Sequence, residues 1–264
     1  MAQGAPMSNR SRGGGSRLRG ELRAKAKPRG TGGSGSPTLA SFAADTTVGE
    51  STYRRVRSDI VLGRLPPGGK LPLDRMRSAY GTSVSTLREL FSRLASEGLL
   101  VAEGSRGFHV PVVSSTNLRE IAAMRRLLEG HAIEESFARG DLEWEAGVVA
   151  AHHMLASAEA KMAAGAPYPP ETWRKYDWAF HRALIGACGS RLLLDTYASI
   201  CDKFLRYQMI AAVFRGQAAA DEHRVLLECA LARDAPRAQA TLATHIQDCV
   251  SQMACVLDAK PDWR

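Results

Sequence analysis

Short helix-forming segments alternate with helix-ending residues in residues 52–98, and few folds can accommodate helices this short and this close together. Apolar residues recur at helical spacing at Tyr53, Val56 and Ile60. Gly63 follows at the position where a helix would end in a left-handed residue. The next segment, residues 65–72, must turn because its prolines and glycines cannot continue a helix. The pattern therefore predicts a short first helix followed by a tight connection.

Two further helices are predicted after this turn. The first covers residues 73–80 and ends at Gly81. The second begins near Ser83 or Ser85, whose hydroxyl can cap a helix, and runs with its apolar face inward until Gly98. Two helices joined by a tight turn that contains glycine form a helix-turn-helix.

A β-hairpin is predicted directly after the third helix. Apolar, β-favouring runs occur at residues 99–102 and 108–110, and turn-forming residues 103–107 separate them. Three helices followed by a hairpin make a winged helix-turn-helix. This domain is predicted to span residues 49–113.

The remainder of the chain, residues 114–258, has an almost wholly helical pattern without the alternation typical of strands. Glycines and prolines divide it into six predicted helices, at residues 116–139, 142–163, 170–187, 190–214, 218–232 and 235–258. The predicted fold class is therefore mainly α, with an N-terminal winged helix-turn-helix and a C-terminal all-α helical bundle.

Positive charge is unevenly distributed along the chain. The formal net charge is +8: residues 1–40 carry +7, Asp45 carries −1, residues 50–113 carry +4 and residues 114–264 carry −2. Residues 1–48 are rich in Gly, Ser and Arg and contain too few apolar residues to order a backbone. We predict a disordered basic tail, a basic small domain and a slightly acidic larger domain.

The sequence predicts a cytoplasmic protein with no membrane-spanning segment. Its longest apolar runs are far shorter than a membrane helix requires. The five cysteines show no paired spacing, which suits a reducing compartment better than a disulfide framework. We expect all five to be small core residues.

Several short motifs, in this order, resemble the GntR family of bacterial transcription regulators, in the branch with a FadR-type C-terminal (FCD) domain. In the first domain they are Leu65-Pro66-Pro67-Gly68, Leu71-Pro72, Leu87-Arg88-Glu89-Leu90, residues 93–99 and Gly104-Ser105-Arg106-Gly107-Phe108. In the second they are Arg125-Arg126-Leu127-Leu128-Glu129 and Asp177-Trp178-Ala179-Phe180-His181. Other motifs, including Cys188-Gly189-Ser190, resemble the subgroup of carbon-starvation and glutarate-catabolism regulators. The resemblance covers residues 50–258 and implies a repressor that binds a double-stranded DNA operator.

The predicted DNA-contacting residues lie on the helix-turn-helix and in the wing. A recognition helix enters the major groove by its N-terminal turns, where polar side chains and backbone N–H groups meet phosphates and bases. Arg88 is suited to guanine and Arg75 to phosphate or base. The full set is Arg75, Ser83, Ser85, Thr86, Arg88, Arg106 and Gly107. The alternative is a merely solvated basic face. Many relatives carry Arg at the position of Val84, so we expect a different operator here.

A metal site is predicted in the second domain. Asp177 and His181 lie four residues apart on one helix, so both side chains project from the same face and can chelate a metal. In the FCD pattern, His223 and His245 complete a site of one carboxylate and three imidazoles. Such ligands suit a divalent ion, for which we favour Zn over Ni or Mn. The other histidines, His109, His131, His152 and His153, are expected to be surface or packing residues.

A small organic acid is the effector that such a site would attract. A metal with open coordination positions binds a carboxylate, and nearby cations can hold its other end. Arg125 is the first candidate for this contact, with Arg206 and Tyr207 behind it. Surface salt bridges are the alternative role for these residues. The subgroup resemblance favours a short dicarboxylate.

Two other functions fit parts of the sequence. The metal ligands could serve a hydrolase-type enzyme, although no general base, H-E-x-x-H motif or doubled Glu-x-x-His motif is present. A DNA-architectural protein would explain only the charge. We therefore expect a regulator and not an enzyme, and a homodimer, because one winged helix recognises only half of a two-fold operator.

Overall fold

The computed structural model describes residues 48–259, which form a helix-turn-helix with a β-hairpin followed by a helical bundle. The N-terminal domain contains α1 (Val48–Val61), α2 (Leu73–Tyr80), α3 (Val84–Ser96), β1 (Val101–Ala102) and β2 (Phe108–His109). The predicted basic tail lies outside the described residues, except for Val48, which begins α1. The mainly α fold class, with a winged helix-turn-helix followed by a helical bundle, is confirmed.

Local sequence signals account for the helix-turn-helix. Gly81 ends α2 in the left-handed conformation, with φ at 67°, where a side chain would be strained. Ser83 is the N-cap of α3, and its hydroxyl accepts a hydrogen bond from the backbone N–H of Thr86 at 3.1 Å. The tight turn between α2 and α3 is thus fixed at both of its ends.

The wing is larger than the sequence predicted. β1 and β2 pair antiparallel, and Lys70 forms an additional bridge to His109 in β2. The segment expected to be only a turn thereby supplies a third extended chain at the hairpin. Phe91 of α3 packs edge-to-face on Phe108, with ring centroids 5.4 Å apart, and anchors the wing to the domain core.

Up to residue 259, where the described part of the chain ends, the C-terminal domain contains six helices around one continuous core. They are α4 (Ser115–Arg139), α5 (Leu142–Ala163), α6 (Pro170–Leu184), α7 (Arg191–Ala211), α8 (Gln217–Ala232) and α9 (Ala235–Asp258). α4 packs against α7 and α9, and α5 packs against α6 and α8. The predicted ends of α6 and α7 were each three residues too late. In α7 the reason is Ala212, which adopts the left-handed conformation although it is not glycine.

The helix α7 joins the two domains. Asp202 forms an ion pair with Arg57 of α1. Leu205 packs against the hydrophobic core of the N-terminal domain. Arg206 donates a hydrogen bond to the carbonyl of Pro111, which lies in the segment connecting the domains.

Cys188, Cys201, Cys229 and Cys249 are buried, but Cys255 is exposed, so the expectation that all five lie in the core was wrong for this residue. Position 255 follows Ala254 on the helix and points away from the buried face that Ala254 shares. Among the described residues, no helix combines the length and apolar character needed to cross a membrane.

Substitution of Gly140 by alanine tests the packing between α4 and α5. A Cβ atom at Gly140 would lie 2.4 Å from the ring of Trp144 and 2.8 Å from Arg233 Nη1. Trp144 cannot easily move, because its indole N–H donates to the carbonyl of Ala183 and its ring packs on Phe137. We expect Gly140→Ala to lower the free energy of unfolding by about 1–3 kcal/mol.

The matched control is Gly147→Ala, at an exposed position within α5 where an added Cβ would meet nothing within 4 Å. This change should raise the free energy of unfolding by up to about 1 kcal/mol, because alanine is the better helix former. Urea denaturation of both variants measures the difference. Equal effects would show that the contact at Gly140 is not tight.

Candidate functional site

Asp177, His181, His223 and His245 converge in the interior of the C-terminal domain. Asp177 and His181 come from α6, His223 from α8 and His245 from α9. All four are buried, and one ligand atom from each lies within 4.8 Å of every other. The helical spacing that suggested chelation by Asp177 and His181 therefore brings both to the same place as the two distant histidines.

Each imidazole in this cluster is held through its Nδ1 atom by a glutamate. The pairs are His181 with Glu129 at 2.6 Å, His223 with Glu159 at 2.8 Å and His245 with Glu222 at 2.7 Å. The glutamates come from α4, α5 and α8 respectively. A carboxylate on one ring nitrogen fixes the ring orientation and leaves the other nitrogen available to a metal. The sequence did not predict these three glutamates.

The free nitrogen atoms make the cluster a good fit for a cation. His181 Nε2 and His223 Nε2 are buried and have no hydrogen-bond partner among the described residues. Their distances to Asp177 Oδ1 are 3.8 Å and 3.3 Å. Leaving a buried polar atom without a partner costs about 1–3 kcal/mol. A divalent ion held by three nitrogens and one carboxylate oxygen would satisfy both atoms.

The carboxylates of the cluster carry negative charge that a cation would compensate. Burial opposes ionisation of both Asp177 and Glu129. Even so, His223, His181 and Arg174 hold the pKa of Asp177 below its usual range. Arg125 and His181 likewise lower the pKa of Glu129 to about 2. Burial lowers the pKa of His245 to about 3 in spite of its bond to Glu222. For His223, the interactions with Asp177 and Glu159 outweigh burial and raise the pKa to about 9. The carboxylates are thus ionised at neutral pH.

A small cavity lies beside the cluster. Its walls include Asp177, His181, Arg125 and Arg174, and its volume is about 10 Å³. That is room for about one water molecule. Arg125 is buried, and its Nε donates to Glu129 at 2.9 Å, so it both faces the cavity and holds the carboxylate that orients His181.

The structure does not bring Arg206 and Tyr207 to this cavity. Arg206 contacts the carbonyl of Pro111, and the Tyr207 hydroxyl accepts a hydrogen bond from the Ser114 backbone at 3.3 Å and donates to Asn117 at 2.9 Å. Both residues hold the segment that links the domains. Successive residues on a helix point to different sides, and the side of α7 that lines the cavity is formed by other residues. Those are Tyr197, Cys201, Phe204, Leu205 and Gln208.

Sequence reasoning also missed Arg174 as a residue of the cavity wall. The signal was available, because Arg174 precedes Asp177 by three positions on α6 and residues at that spacing share a helix face. Tyr197 and Gln208 carried no such signal, since nothing in the sequence shows which side of α7 faces the metal ligands.

The predicted DNA-contacting arginines are exposed and unpaired. Within the described part of the chain, Arg75, Arg88 and Arg106 make no side-chain hydrogen bond or ion pair. Arg93, also on α3, is by contrast bound to Glu50 and Glu97 and lies 3.8 Å above the ring of Tyr53. Three arginines are therefore available to an external anion, whereas Arg93 is part of the fold.

The remaining predicted DNA contacts lie at the N-terminus of α3 and in the wing. Ser83 Oγ lies 2.8 Å from the hydroxyl of Ser85 and 2.9 Å from that of Thr86. Three hydroxyls are therefore grouped at the N-terminus of α3, where the first backbone N–H groups of a helix have no partner within the helix. Gly107 lies in the wing with φ at 90°, a conformation that favours glycine.

Two family models match the chain. The model described as "Bacterial regulatory proteins, gntR family" matches residues 49–110, and the FCD domain model matches residues 120–248. The chain is 35% identical over 204 residues to the uncharacterized HTH-type transcriptional regulator BphR of Paraburkholderia xenovorans strain LB400, covering 76% of this chain and 83% of that protein. It is 32% identical over 200 residues to the HTH-type transcriptional repressor GlaR of Escherichia coli K12, covering 74% and 90%.

Solved structures show the same fold. E. coli McbR/YncC has a TM-score of 0.67 at 18% identity, covering 79% of this chain and 98% of that one. A GntR-type regulator from Rhodococcus sp. RHA1 has a TM-score of 0.64 at 22% identity, with the same coverage of 79% and 98%.

Removal of one orienting carboxylate tests the metal centre. Glu159→Gln keeps the shape of the side chain but removes the charge that holds His223. We expect zinc affinity to fall about 10–100-fold, because such partners fix ligand orientation and basicity. Competition titration against a chromophoric chelator measures the change, with circular dichroism as the check on folding.

The matched control is Glu143→Gln, an exposed residue on the same helix. It should leave zinc affinity unchanged. If Glu159→Gln binds zinc as tightly as this control, the glutamate does not support a metal ligand.

Proposed function

The chain belongs to the GntR family of bacterial transcription regulators with an FCD domain, and on that premise we propose that it is a cytoplasmic repressor controlled by a small organic acid. The family and the named relatives are transcription regulators and not enzymes, which removes the hydrolase alternative. The observation that carries the proposal is the buried cluster of Asp177, His181, His223 and His245, in a domain fastened by α7 to the winged helix.

Support for operator binding comes from the surface of the helix-turn-helix. Arg88 on α3 and Arg75 on α2 have no acidic partner among the described residues, so their charge is available to DNA. Arg88 suits a bidentate contact with guanine and Arg75 a contact with phosphate. The hydroxyls around Ser83 lie at a helix N-terminus, which favours phosphate binding.

Support for organic-acid binding comes from the metal centre. FCD domains typically bind a metal. Here Asp177 and the three histidines would hold a divalent ion, with zinc the first candidate, and the bound ion would supply a positive centre for a carboxylate. Arg125 faces the cavity beside it and offers the second contact. Short dicarboxylates are the favoured class.

The cavity as described is smaller than any organic acid, since it has room for about one water molecule. Binding therefore requires the walls to separate. A ligand shifts an equilibrium only through different affinities for the two states, and here the open and closed cavities are those states.

The helix α7 offers the route from the cavity to DNA. Leu205 lines the cavity and also packs against the core of the N-terminal domain. Asp202, one turn earlier, pairs with Arg57 of α1. Outward movement of this wall on ligand binding would change the position of the winged helix, and with it the fit to the operator.

The operator-bound form is proposed to be a homodimer. Regulators with this DNA-binding domain commonly dimerise, and two half-sites one helical turn apart require two winged helices. Met124 and Leu127 on α4 and Leu192 on α7 are exposed large apolar residues on helices that pack together. Such a surface suits contact with a second copy.

Substitution of Arg88 tests the DNA-binding face. Arg88→Ala should weaken specific binding to an operator found by footprinting the protein's own promoter by about 1–3 kcal/mol, the size of a lost bidentate base contact. Fluorescence anisotropy measures the affinity. Arg224→Ala, an exposed residue on α8, removes the same charge and should change little. An unchanged operator affinity for Arg88→Ala would show that this arginine does not contact the bases.

Substitution of His245 tests the link between metal and response. We expect His245→Ala to stay folded, because Glu222 keeps its bidentate pairing with Arg215 after the imidazole is removed. The variant should lose most of its metal, still bind the operator and no longer release it on addition of glutarate or succinate. Elemental analysis and operator titration measure the two properties.

The control for this experiment is His131→Ala, an exposed histidine on α4. It should keep both metal and response. The metal part of the proposal fails if the wild-type protein, purified without chelators, neither contains stoichiometric metal nor takes it up on titration.

A further inference from the structure

An ion pair fastens the first turn of α6 to the DNA-binding half of the chain. Arg64 lies just after the end of α1, and its Nη2 donates to both carboxylate oxygens of Glu171 at 2.8 Å. Both side chains are about half exposed. An exposed ion pair alone stabilises a fold little, but it gains weight where it belongs to a network of charges. The importance of this pair therefore depends on what else Arg64 contacts.

Arg64 also contacts the helix-turn-helix, through Asp59 of α1. Its Nη1 donates to Asp59 Oδ1 at 3.0 Å, and the hydroxyl of Tyr80 donates to Asp59 Oδ2 at 2.7 Å. Tyr80 is buried and is the last residue of α2, directly before the turn at Gly81. Three contacts in sequence thus join α6 to the turn that precedes α3. This α6–α2 relay consists of Glu171, Arg64, Asp59 and Tyr80.

The helix α6 also supplies Asp177 and His181 to the candidate metal centre. Glu171 precedes Asp177 by six residues, which is about 9 Å along a helix axis. A regular helix transmits displacement along its length because it behaves as a rigid element. The other two ligands come from α8 and α9, so a bound ion would tie α6 to both. Metal binding would thereby restrict the movement of α6, and with it that of Glu171.

This connection is separate from the contacts that α7 makes with the N-terminal domain. α7 supplies none of the four candidate ligands and reaches that domain through Asp202 and Leu205. The relay instead begins on a helix that carries ligands and ends at α2. The two sets of contacts share no side chain, so each can be broken without the other.

We propose that the α6–α2 relay makes the position of α2 and its turn depend on metal binding at α6. Glu171 and Arg64 act in it as positioning residues, since neither is one of the metal ligands. Because α3 follows the turn directly, the relay would alter how well the recognition helix fits the operator. This inference rests on the proposed function, because the metal centre and the DNA-binding face are the two ends of the relay.

The test is hydrogen–deuterium exchange of the full chain, measured by mass spectrometry with and without zinc. In the wild type, zinc should slow amide exchange in α6 and also in α2 and its turn, residues 73–83. Glu171→Gln should keep the slowing in α6 but reduce the slowing in residues 73–83 about 2–5-fold, the effect of one ion pair of this kind. Zinc content should stay stoichiometric, because Glu171 is not a ligand.

The matched control is Glu228→Gln on α8. Glu228 is 45% exposed against 47% for Glu171, and it lies five residues from the candidate ligand His223. Its partners, Arg224 and Arg237, both belong to the C-terminal domain. Zinc should therefore slow exchange in α2 of this variant as much as in the wild type.

A second variant breaks the relay at its other end. Tyr80→Phe removes only the hydroxyl that donates to Asp59, and Asp59 keeps Arg64 as a partner, so the domain should remain folded. This change should reduce the zinc effect on α2 as Glu171→Gln does. The double variant should lose no more than either single one, because both act through the same contacts. Circular dichroism checks the folding of each variant.

The outcomes separate this inference from the proposed function. If zinc binds the wild type but slows exchange only in the C-terminal domain, or if Glu171→Gln responds to zinc as Glu228→Gln does, the relay is wrong while the metal centre stands. Additive losses in the double variant would also show that Glu171 and Tyr80 do not act through one relay. If zinc does not bind and no organic acid releases the wild type from the operator, the proposed function itself is wrong and the relay fails with it.

Discussion

The buried charges at the centre of the C-terminal domain are the interaction on which the rest of the structure depends. Carboxylates removed from water are unfavourable unless opposite charges and hydrogen bonds compensate them. Here the compensation crosses between helices: Glu129 on α4 holds His181 on α6, and Glu159 on α5 holds His223 on α8. The helices can satisfy these groups only in one mutual arrangement. The same requirement leaves two imidazole nitrogens pointing at a common centre.

The sequence predicts the order of elements well because glycine and proline mark most of their ends. The prediction fails at the end of α7, where Ala212 adopts a left-handed conformation. Alanine at this position gives no sign in the sequence that the helix ends there. Spacing identifies Asp177 and His181, since both lie on one helix. His223 lies 42 residues after His181, and His245 lies 22 residues after His223. Only the family resemblance therefore connected these two histidines to the site.

The glutamates that orient the histidines could not be predicted from the sequence, and the physical reason is again distance along the chain. Glu129 and Glu159 are separated from their histidines by 52 and 64 residues, and no local pattern encodes such pairings. Arg206 and Tyr207 were expected behind Arg125 in the effector site, and both lie on α7, a helix that does line the cavity. The phase of that helix depends on tertiary packing, and it directs them to the connecting segment instead.

The position of Leu205 shows that the two domains do not have separate cores. Its side chain contributes to the core of the N-terminal domain although it belongs to a helix of the other domain, and Arg57 finds its acidic partner on the same helix. A winged helix cut from the chain at residue 113 would expose the apolar surface that Leu205 covers and leave Arg57 without Asp202. The boundary between two family domains is therefore not a boundary between two independent cores, and exchange of the DNA-binding half between regulators would need a compatible α7.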